Sequence, residues 1–223
     1  GLLKSVTHIL QGYCPTAELL ENIHRTSMEM KQENPSLCYL CDPVMGDHGK
    51  LYVSKELVDV YRNVVVPSAQ FVIPNQFEAE LLTDVEIKCE ADAIRACDIL
   101  HDKGVEVVVI TSLYYNDEEI VLLGSSRKEN DKCRFTLCMP ALPHYYTGTG
   151  DLFGALLLGW SLKHPTDLKL VCEKAVSGIR SVILNTAKHY KHSTATHPEL
   201  RIIQSRTEIE NPTISLTAKN LPL

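Results

Sequence analysis

Short apolar runs alternate along the chain with longer segments in which apolar residues recur every three or four positions. Four short runs, bounded by turn-forming residues, predict strands: residues 6–10, 37–41, 70–73 and 105–112. The segments with a helical period predict helices: residues 18–32, 55–65, 74–82, 90–103, 151–164 and about 167–190. This alternation predicts an α/β fold with a mainly parallel sheet and helices on both faces.

One pair of strands departs from the alternation. Residues 119–124 and 133–140 are apolar and flank the polar stretch "SSRKEND", so they predict an antiparallel pair. The segment after residue 192 is mixed and polar, and it predicts no regular element. A chain of 223 residues without internal repeats predicts one domain, residues 1–223.

Composition and charge exclude several classes of partner. Hydrophobic residues make up 44% and charged residues 22%, as in ordinary globular proteins. The net charge of −6 gives no electrostatic support for binding nucleic acid or an anionic membrane. No stretch resembles a signal peptide, and no apolar run reaches the length of a membrane span. We therefore expect a cytoplasmic protein.

The cysteines and histidines are weak candidates for metal ligands. Most of the 8 cysteines lie in apolar periodic segments, and the one C-x-x-C, Cys38 and Cys41, falls in a predicted strand with no second such pair. We expect buried free thiols. His189, His192 and His197 are loosely spaced like ligands, but no acidic or cysteine partner is near them in sequence. A solvated helix end is the expected explanation.

Polar residues follow three of the predicted strands. Asp42 comes after 37–41, Asn75 after 70–73, and Thr111 with Ser112 ends 105–112. Parallel sheets bind ligands at the carboxyl ends of their strands, so these side chains are candidates for one site. Strand-terminating turns also use such residues, and that interpretation stays open.

The stretch "TGTGDLFGALLLGW", residues 147–160, combines a glycine-rich turn with the start of a helix. Such a turn exposes backbone N–H groups to an anion. The P-loop pattern is absent, and the dinucleotide pattern fails because Gly154 comes one residue late. Asp151 suits a base that removes a proton from a hydroxyl attacking phosphorus. The alternative is that Asp151 only caps its helix.

Two acidic motifs have equally open interpretations. Asn75 and Glu78 are spaced as a capping box, or as a polar pair that orders Mg²⁺ around ATP phosphates. In "DPVMGD", Asp42 and Asp47 either form an ordinary turn or bind cations and position phosphates.

Taken in order, these motifs resemble the pyridoxal kinase family of the ribokinase-like superfamily. The stretches that carry the resemblance are "CDPVMGD" (41–47), "PNQFEAELL" (74–82), "VVVITS" (107–112), "TGTGDLFGALLLGW" (147–160) and "ELRIIQSRTEIENP" (199–212). The resemblance implies a ribokinase-like three-layer sandwich. It also implies ATP-dependent phosphorylation of the 5′-hydroxyl of pyridoxal, pyridoxine or pyridoxamine, by a homodimer.

The resemblance also implies a role for each site residue. Asp151 is the implied catalytic base, and the implied anion hole consists of Gly148, Thr149 and Gly150. ATP and Mg²⁺ are handled by Asp42, Asn75 and Glu78. A monovalent cation (K⁺ or Na⁺) and the phosphates are assigned to Asp47 and Thr111, and the nucleotide to Ser112. Tyr13 lines the implied vitamin pocket, and the hairpin 124–135 lies near adenine and ribose.

The sequence departs from the family's pattern in three places. The family begins with a further strand and a loop before the position of Gly1, Ile73 replaces a frequent threonine near the monovalent cation, and the segment after Asp47 is short. These departures keep two alternatives open. One is a truncated, inactive product that retains the ATP-binding half. The other is a kinase for hydroxymethylpyrimidine or another small alcohol.

Overall fold

The structure is a computed structural model that describes residues 2–141, 146–190 and 198–223. Its strands, in chain order, are β1 His8–Gln11, β2 Cys38–Cys41, β3 Gly46–Asp47, β4 Lys50–Leu51, β5 Phe71–Val72, β6 Val107–Leu113, β7 Glu119–Lys128, β8 Asp131–Pro140 and β9 Lys219–Asn220. Within the described ranges, seven of these strands form one sheet in the order β1-β2-β5-β6-β7-β8-β9, and β3 pairs only with β4.

The same ranges contain seven α-helices: α1 Ala17–Glu33, α2 Lys55–Val60, α3 Gln76–Thr83, α4 Glu90–Asp102, α5 Thr149–Lys163, α6 Leu168–Tyr190 and α7 Arg206–Glu210. After α2 the chain continues as a π-helical turn, Tyr61–Val65, and a 3₁₀ turn, Val66–Ser68. Further 3₁₀ turns are Leu2–Ser5 and Ile203–Ser205. α4 ends before Gly104, whose φ of +106° favours glycine at this position.

Strand pairing divides the sheet into two parts. β1, β2, β5 and β6 are parallel neighbours, and helices connect them. β7, β8 and β9 extend the sheet by antiparallel pairing. The carboxyl ends of the four parallel strands therefore lie at one edge, and the predicted α/β class is confirmed.

Two hydrophobic cores lie on opposite faces of the sheet. Cys41 and Ile110 belong to the core that α1, α2, α3 and α4 cover. Their neighbours Leu40 and Val109 belong to the core that α5 and α6 cover. Successive side chains of a strand point to opposite faces, so continuous apolar strands supply both cores. The result is the expected three-layer sandwich.

The same alternation explains the C-x-x-C. Cys38 packs against the α5/α6 core and Cys41 lies in the other, because residues three apart on a strand face opposite ways. All 8 cysteines lie within the described ranges and are free. The expectation of buried thiols is confirmed for Cys14, Cys41, Cys97 and Cys172, but Cys89 and Cys138 are exposed.

The structure corrects the prediction for two polar segments. β7 continues to Lys128. Ser125 is buried there, and its hydroxyl has a partner because Oγ lies 2.9 Å from Nε2 of His101 on α4. The tail after residue 192 contains α7 and β9. β9 is held where Ala218 N donates to the buried Glu173 Oε1 at 2.9 Å. Polar side chains at these positions satisfy backbone or buried partners, which hydrophobic patterning does not reveal.

Two further expectations concern absences. His189 lies in the last turn of α6, whereas His192 and His197 lie outside the described residues. No trio of His, Cys, Asp and Glu side chains in the described ranges is arranged to hold a metal ion. None of the described helices combines the length and apolar character needed to cross a membrane.

Candidate active site

A cleft of about 580 Å³ opens at the carboxyl edge of the parallel strands. The predicted site residues that line it are Asp42, Asp47, Asn75, Glu78, Thr111, Ser112, Gly148, Thr149, Gly150 and Asp151. The sheet order places the ends of β2, β5 and β6 side by side, which brings these distant segments together. Tyr13 is the exception, because it lies 57% exposed on the loop after β1 and is not among the lining residues.

The first turn of α5 forms one side of the cleft. Gly148 precedes the helix with a φ of +86°, a conformation that glycine adopts without strain. Within the described residues, no side chain caps the amides that follow it. A Cβ placed on Gly150 would lie 3.9 Å from Asp42 Oδ2. The open helix start therefore lies directly beside the carboxylate at the end of β2.

Asp151 occupies the third residue of α5 and is exposed to the cleft. A Cβ on Gly148 would lie 4.0 Å from Asp151 Oδ2, so the carboxylate stands at the mouth of the open amides. A capping side chain normally stands at the residue before the helix and accepts from its first-turn amides. No contact among the described residues supports the helix-cap interpretation of Asp151.

Asn75 and Glu78 form the capping box that the sequence pattern predicted. Asn75 Oδ1 accepts from Glu78 N, and Glu78 Oε2 accepts from Asn75 N, both at 2.9 Å. Glu78 Oε1 also accepts from Met45 N at 2.9 Å, and Asn75 Nδ2 donates to Gly46 O at 2.7 Å. The pair therefore joins α3 to the segment between β2 and β3. Its cation role stays a prediction.

The two buried carboxyl groups of the cleft have strongly raised pKa values. Asp42 is 8% exposed, and burial, followed by the charge of Asp151, raises its pKa to about 7. Glu78 is 3% exposed, and burial raises its pKa to about 8 although backbone N–H groups of Asn75 and Met45 act in the opposite direction. Perturbed acids that share a cleft are typical of functional sites.

Comparisons with known proteins support the resemblance. The family model described as phosphomethylpyrimidine kinase matches residues 8–197. Pyridoxal kinase of Dictyostelium discoideum is 42% identical over 231 residues, which covers 99% of this chain and 76% of that relative. Pyridoxal kinase of Arabidopsis thaliana is 45% identical over 219 residues, with 96% and 71% covered. The chain belongs to the pyridoxal kinase family.

A solved structure of the pyridoxal kinase family shares the fold. Pyridoxal kinase from Leishmania donovani, in complex with ADP and pyridoxamine, matches with a TM-score of 0.89 at 30% identity. The match covers 99% of this chain and 76% of that one. The predicted family and ribokinase-like fold are therefore confirmed, and the matched relatives are longer than this chain.

This pyridoxal kinase family member has an apolar wall in its cleft that the sequence did not reveal as part of a site. Its residues come from the beginning of β7, the end of β8 and one face of α6: Ile120, Leu122, Met139, Val176, Ile179 and Ile183. The helical period identified the α6 face as buried. Periodicity does not distinguish the wall of a cleft from the interior of a core.

The hairpin 124–135 does not line the cleft, and its expected position near adenine and ribose stays a prediction. Gly124 pairs with Val109 and Ser126 with Val107, so the hairpin turn lies beside the amino end of β6, away from the cleft. Near that end, Arg134 Nη2 contacts Asp98 Oδ1 on α4 at 2.5 Å. β7 runs antiparallel to β6, so it begins at the cleft and ends away from it. Its first residues and the last residues of β8 therefore line the cleft.

The hairpin of β3 and β4 is the other element that sequence reasoning missed. It brings His48 and Tyr52 to the cleft, where Tyr114 from the end of β6 also lies. In the sequence, the pair His48-Gly49 between short polar segments is the feature that could have indicated a hairpin turn. Two-residue strands are too short for the alternation that identifies longer ones.

Proposed function

We propose that this chain transfers the γ-phosphoryl group of ATP to the 5′-hydroxyl of pyridoxal, and also of pyridoxine and pyridoxamine. The observation that supports this proposal most directly is the position of Asp151 beside the open backbone amides of Gly148, Thr149 and Gly150. The relatives reported above are pyridoxal kinases, and the matched structure contains ADP with pyridoxamine. This support favours a vitamin B6 kinase over a kinase for hydroxymethylpyrimidine.

The geometry suits in-line transfer. Asp151 accepts the proton of the 5′-hydroxyl while that oxygen forms a bond to the γ-phosphorus. The bond between the γ-phosphorus and the bridging oxygen breaks, and ADP leaves with the electron pair. The amides at the start of α5 donate to the oxygens of the transferred group, where negative charge increases. The helix dipole adds to this stabilisation.

Asp42 and Glu78 fit a divalent cation that enters with the nucleotide. Kinases hold Mg²⁺ with one or two carboxylates, phosphate oxygens and water, and the described residues offer no larger cluster. Burial raises the pKa of both carboxyl groups, so a cation beside them would favour their ionised forms. Mg²⁺ would supply neutralisation of phosphate charge. The backbone amides of Asn75 and Met45 hold the carboxylate of Glu78 in place.

Further parts of the proposal concern the remaining ligands. The adenine packs on the apolar wall of the cleft, which offers the only extended apolar surface among its described lining residues. A monovalent cation binds near Asp47 and Thr111, while Ile73 contributes no side-chain oxygen there. Tyr13 contacts the vitamin. We also propose a single kinase domain, a homodimeric assembly and a cytoplasmic location.

The test of the function is formation of pyridoxal phosphate from pyridoxal and MgATP. We expect Asp151→Asn to lower turnover by roughly 10²–10⁴-fold, because the base is lost, while MgADP still binds. Asp167→Asn is the matched control, since Asp167 Oδ1 accepts from Leu170 N as a genuine helix cap. Near-normal turnover by Asp151→Asn would refute the base role. Turnover of hydroxymethylpyrimidine alone would refute the substrate.

A further inference from the structure

His48 has a positive φ, which is uncommon for residues other than glycine. It forms, with Gly49, the two-residue turn between β3 and β4, and both residues have positive φ, +46° and +75°. Hairpin turns of this kind prefer Asn-Gly or Gly-Gly. A non-glycine residue with positive φ beside a cleft is a candidate for a functional role of its side chain.

The hairpin that carries His48 is tied to the start of α3 at the edge of the cleft. Gly46 O accepts from Asn75 Nδ2 at 2.7 Å, which ties β3 to the start of α3. A Cβ on Gly46 would approach Phe77 Cε1 to 2.8 Å, so β3 lies directly against that helix. The turn therefore projects from a hairpin that packs on α3, and His48 lines the same cleft as Asp42 and Glu78.

The imidazole of His48 is mostly exposed, and its ring lies against that of Tyr114. Its side chain is 65% exposed. Its ring centroid lies 5.2 Å from that of Tyr114, and Asp47 Oδ1 accepts from His48 N at 2.8 Å. Nε2 lies 3.6 Å from Asp47 Oδ2, which is beyond hydrogen-bond distance. Within the described ranges neither ring nitrogen has a hydrogen-bond partner, so the ring can donate to a ligand.

Among the described residues that line the cleft, one side chain is basic and could bind a polyphosphate. Four of the described lining residues are acids, none is Lys or Arg, and only His48 has a basic side chain: Asp42, Asp47, Glu78, Asp151 and His48. A nucleotide with several negative charges needs donors to offset these carboxylates. The α5 amides supply donors on one side of the cleft, and His48 stands on the β3–β4 side.

We propose that His48 binds the phosphate groups of the nucleotide, with an imidazole N–H donating to a phosphate oxygen. This inference rests on the proposed function, in which ATP occupies the cleft. Glycine at that position would adopt the positive φ more easily but would remove the donor. The role is in binding the nucleotide, and the vitamin is not contacted.

The test measures MgADP binding by isothermal titration calorimetry, together with thermal unfolding, for the full chain. We expect His48→Gly to weaken binding about tenfold, the effect of one hydrogen bond to a charged group. Its melting temperature should stay equal or rise, because glycine tolerates positive φ. His48→Asn tolerates the same turn but lacks the ring, and it should also weaken binding. Lys50→Ala removes a nearby exposed charge and should leave the dissociation constant within about twofold.

Four outcomes would overturn the inference. Unchanged MgADP affinity in both His48 variants excludes the contact. A fall in melting temperature of both variants, in parallel with weaker binding, assigns His48 a structural role. Equal loss in Lys50→Ala assigns the effect to general electrostatics. A wild-type protein that does not bind MgADP refutes this inference and the proposed function together. One that binds MgADP without phosphorylating pyridoxal refutes only the function.

Discussion

The burial of the Asp42 carboxyl group in the cleft can be tested through the pH dependence of stability. Burial and the charge of Asp151 raise its pKa from 3.8 to about 7 in the folded protein. Between these two pH values, the carboxyl group of Asp42 therefore keeps its proton in the folded state and has lost it in the unfolded chain. Stability from this group is present below the unfolded pKa and is lost as the pH rises through about 7. Replacing Asp42 by Asn removes this titration.

The size of the effect follows from the two pKa values. The shift from 3.8 to about 7 corresponds to about 4 kcal/mol over the whole titration. About 3 kcal/mol of it falls between pH 5 and pH 8, because the unfolded carboxyl is already ionised at pH 5. From pH 5 to pH 8, the free energy of unfolding of the wild type should thus fall by about 3 kcal/mol more than that of Asp42→Asn.

The assay is urea unfolding of both proteins at pH 5 and pH 8 in metal-free buffer. Comparing the two proteins at two pH values cancels any fixed cost of the substitution. Asp92→Asn is the control, because a hydrogen bond from Cys89 lowers the pKa of Asp92 and places its titration below this window. A difference between wild type and Asp42→Asn that does not change with pH would refute the buried, protonated carboxyl.

Two further predictions concern the sheet and the loop after β1. Gly124→Ala should lower stability by about 1–3 kcal/mol in urea unfolding, since its Cβ would lie 2.8 Å from Cε2 of the buried Phe135. Adding Phe135→Leu should restore part of the loss, and no recovery would refute the clash. Gln11→Leu should raise KM for pyridoxal more than KM for ATP. Gln11 Nε2 donates to Tyr61 Oη at 2.9 Å beside the loop that carries Tyr13. An equal rise in both constants would contradict this.

Much of the molecule follows from its local sequence. The buried strand 38–41, the helix from Ala17 and the capping box of Asn75 and Glu78 each lie where the pattern predicted them. These features depend on interactions within a few residues, or on burial of a continuous apolar run. Such forces act on neighbours in the chain, so they are visible in the order of the residues.

Other features depend on contacts between distant segments. The sequence predicted that Asp42 and Asp151 follow a strand and a glycine-rich turn, but the tertiary structure decided that they are close enough for one charge to raise the pKa of the other. It also decided that Ile120 and Met139 face the cleft while Gly124–Phe135 does not. Burial and electrostatic coupling depend on distance through space, and only strand order and register determine that distance.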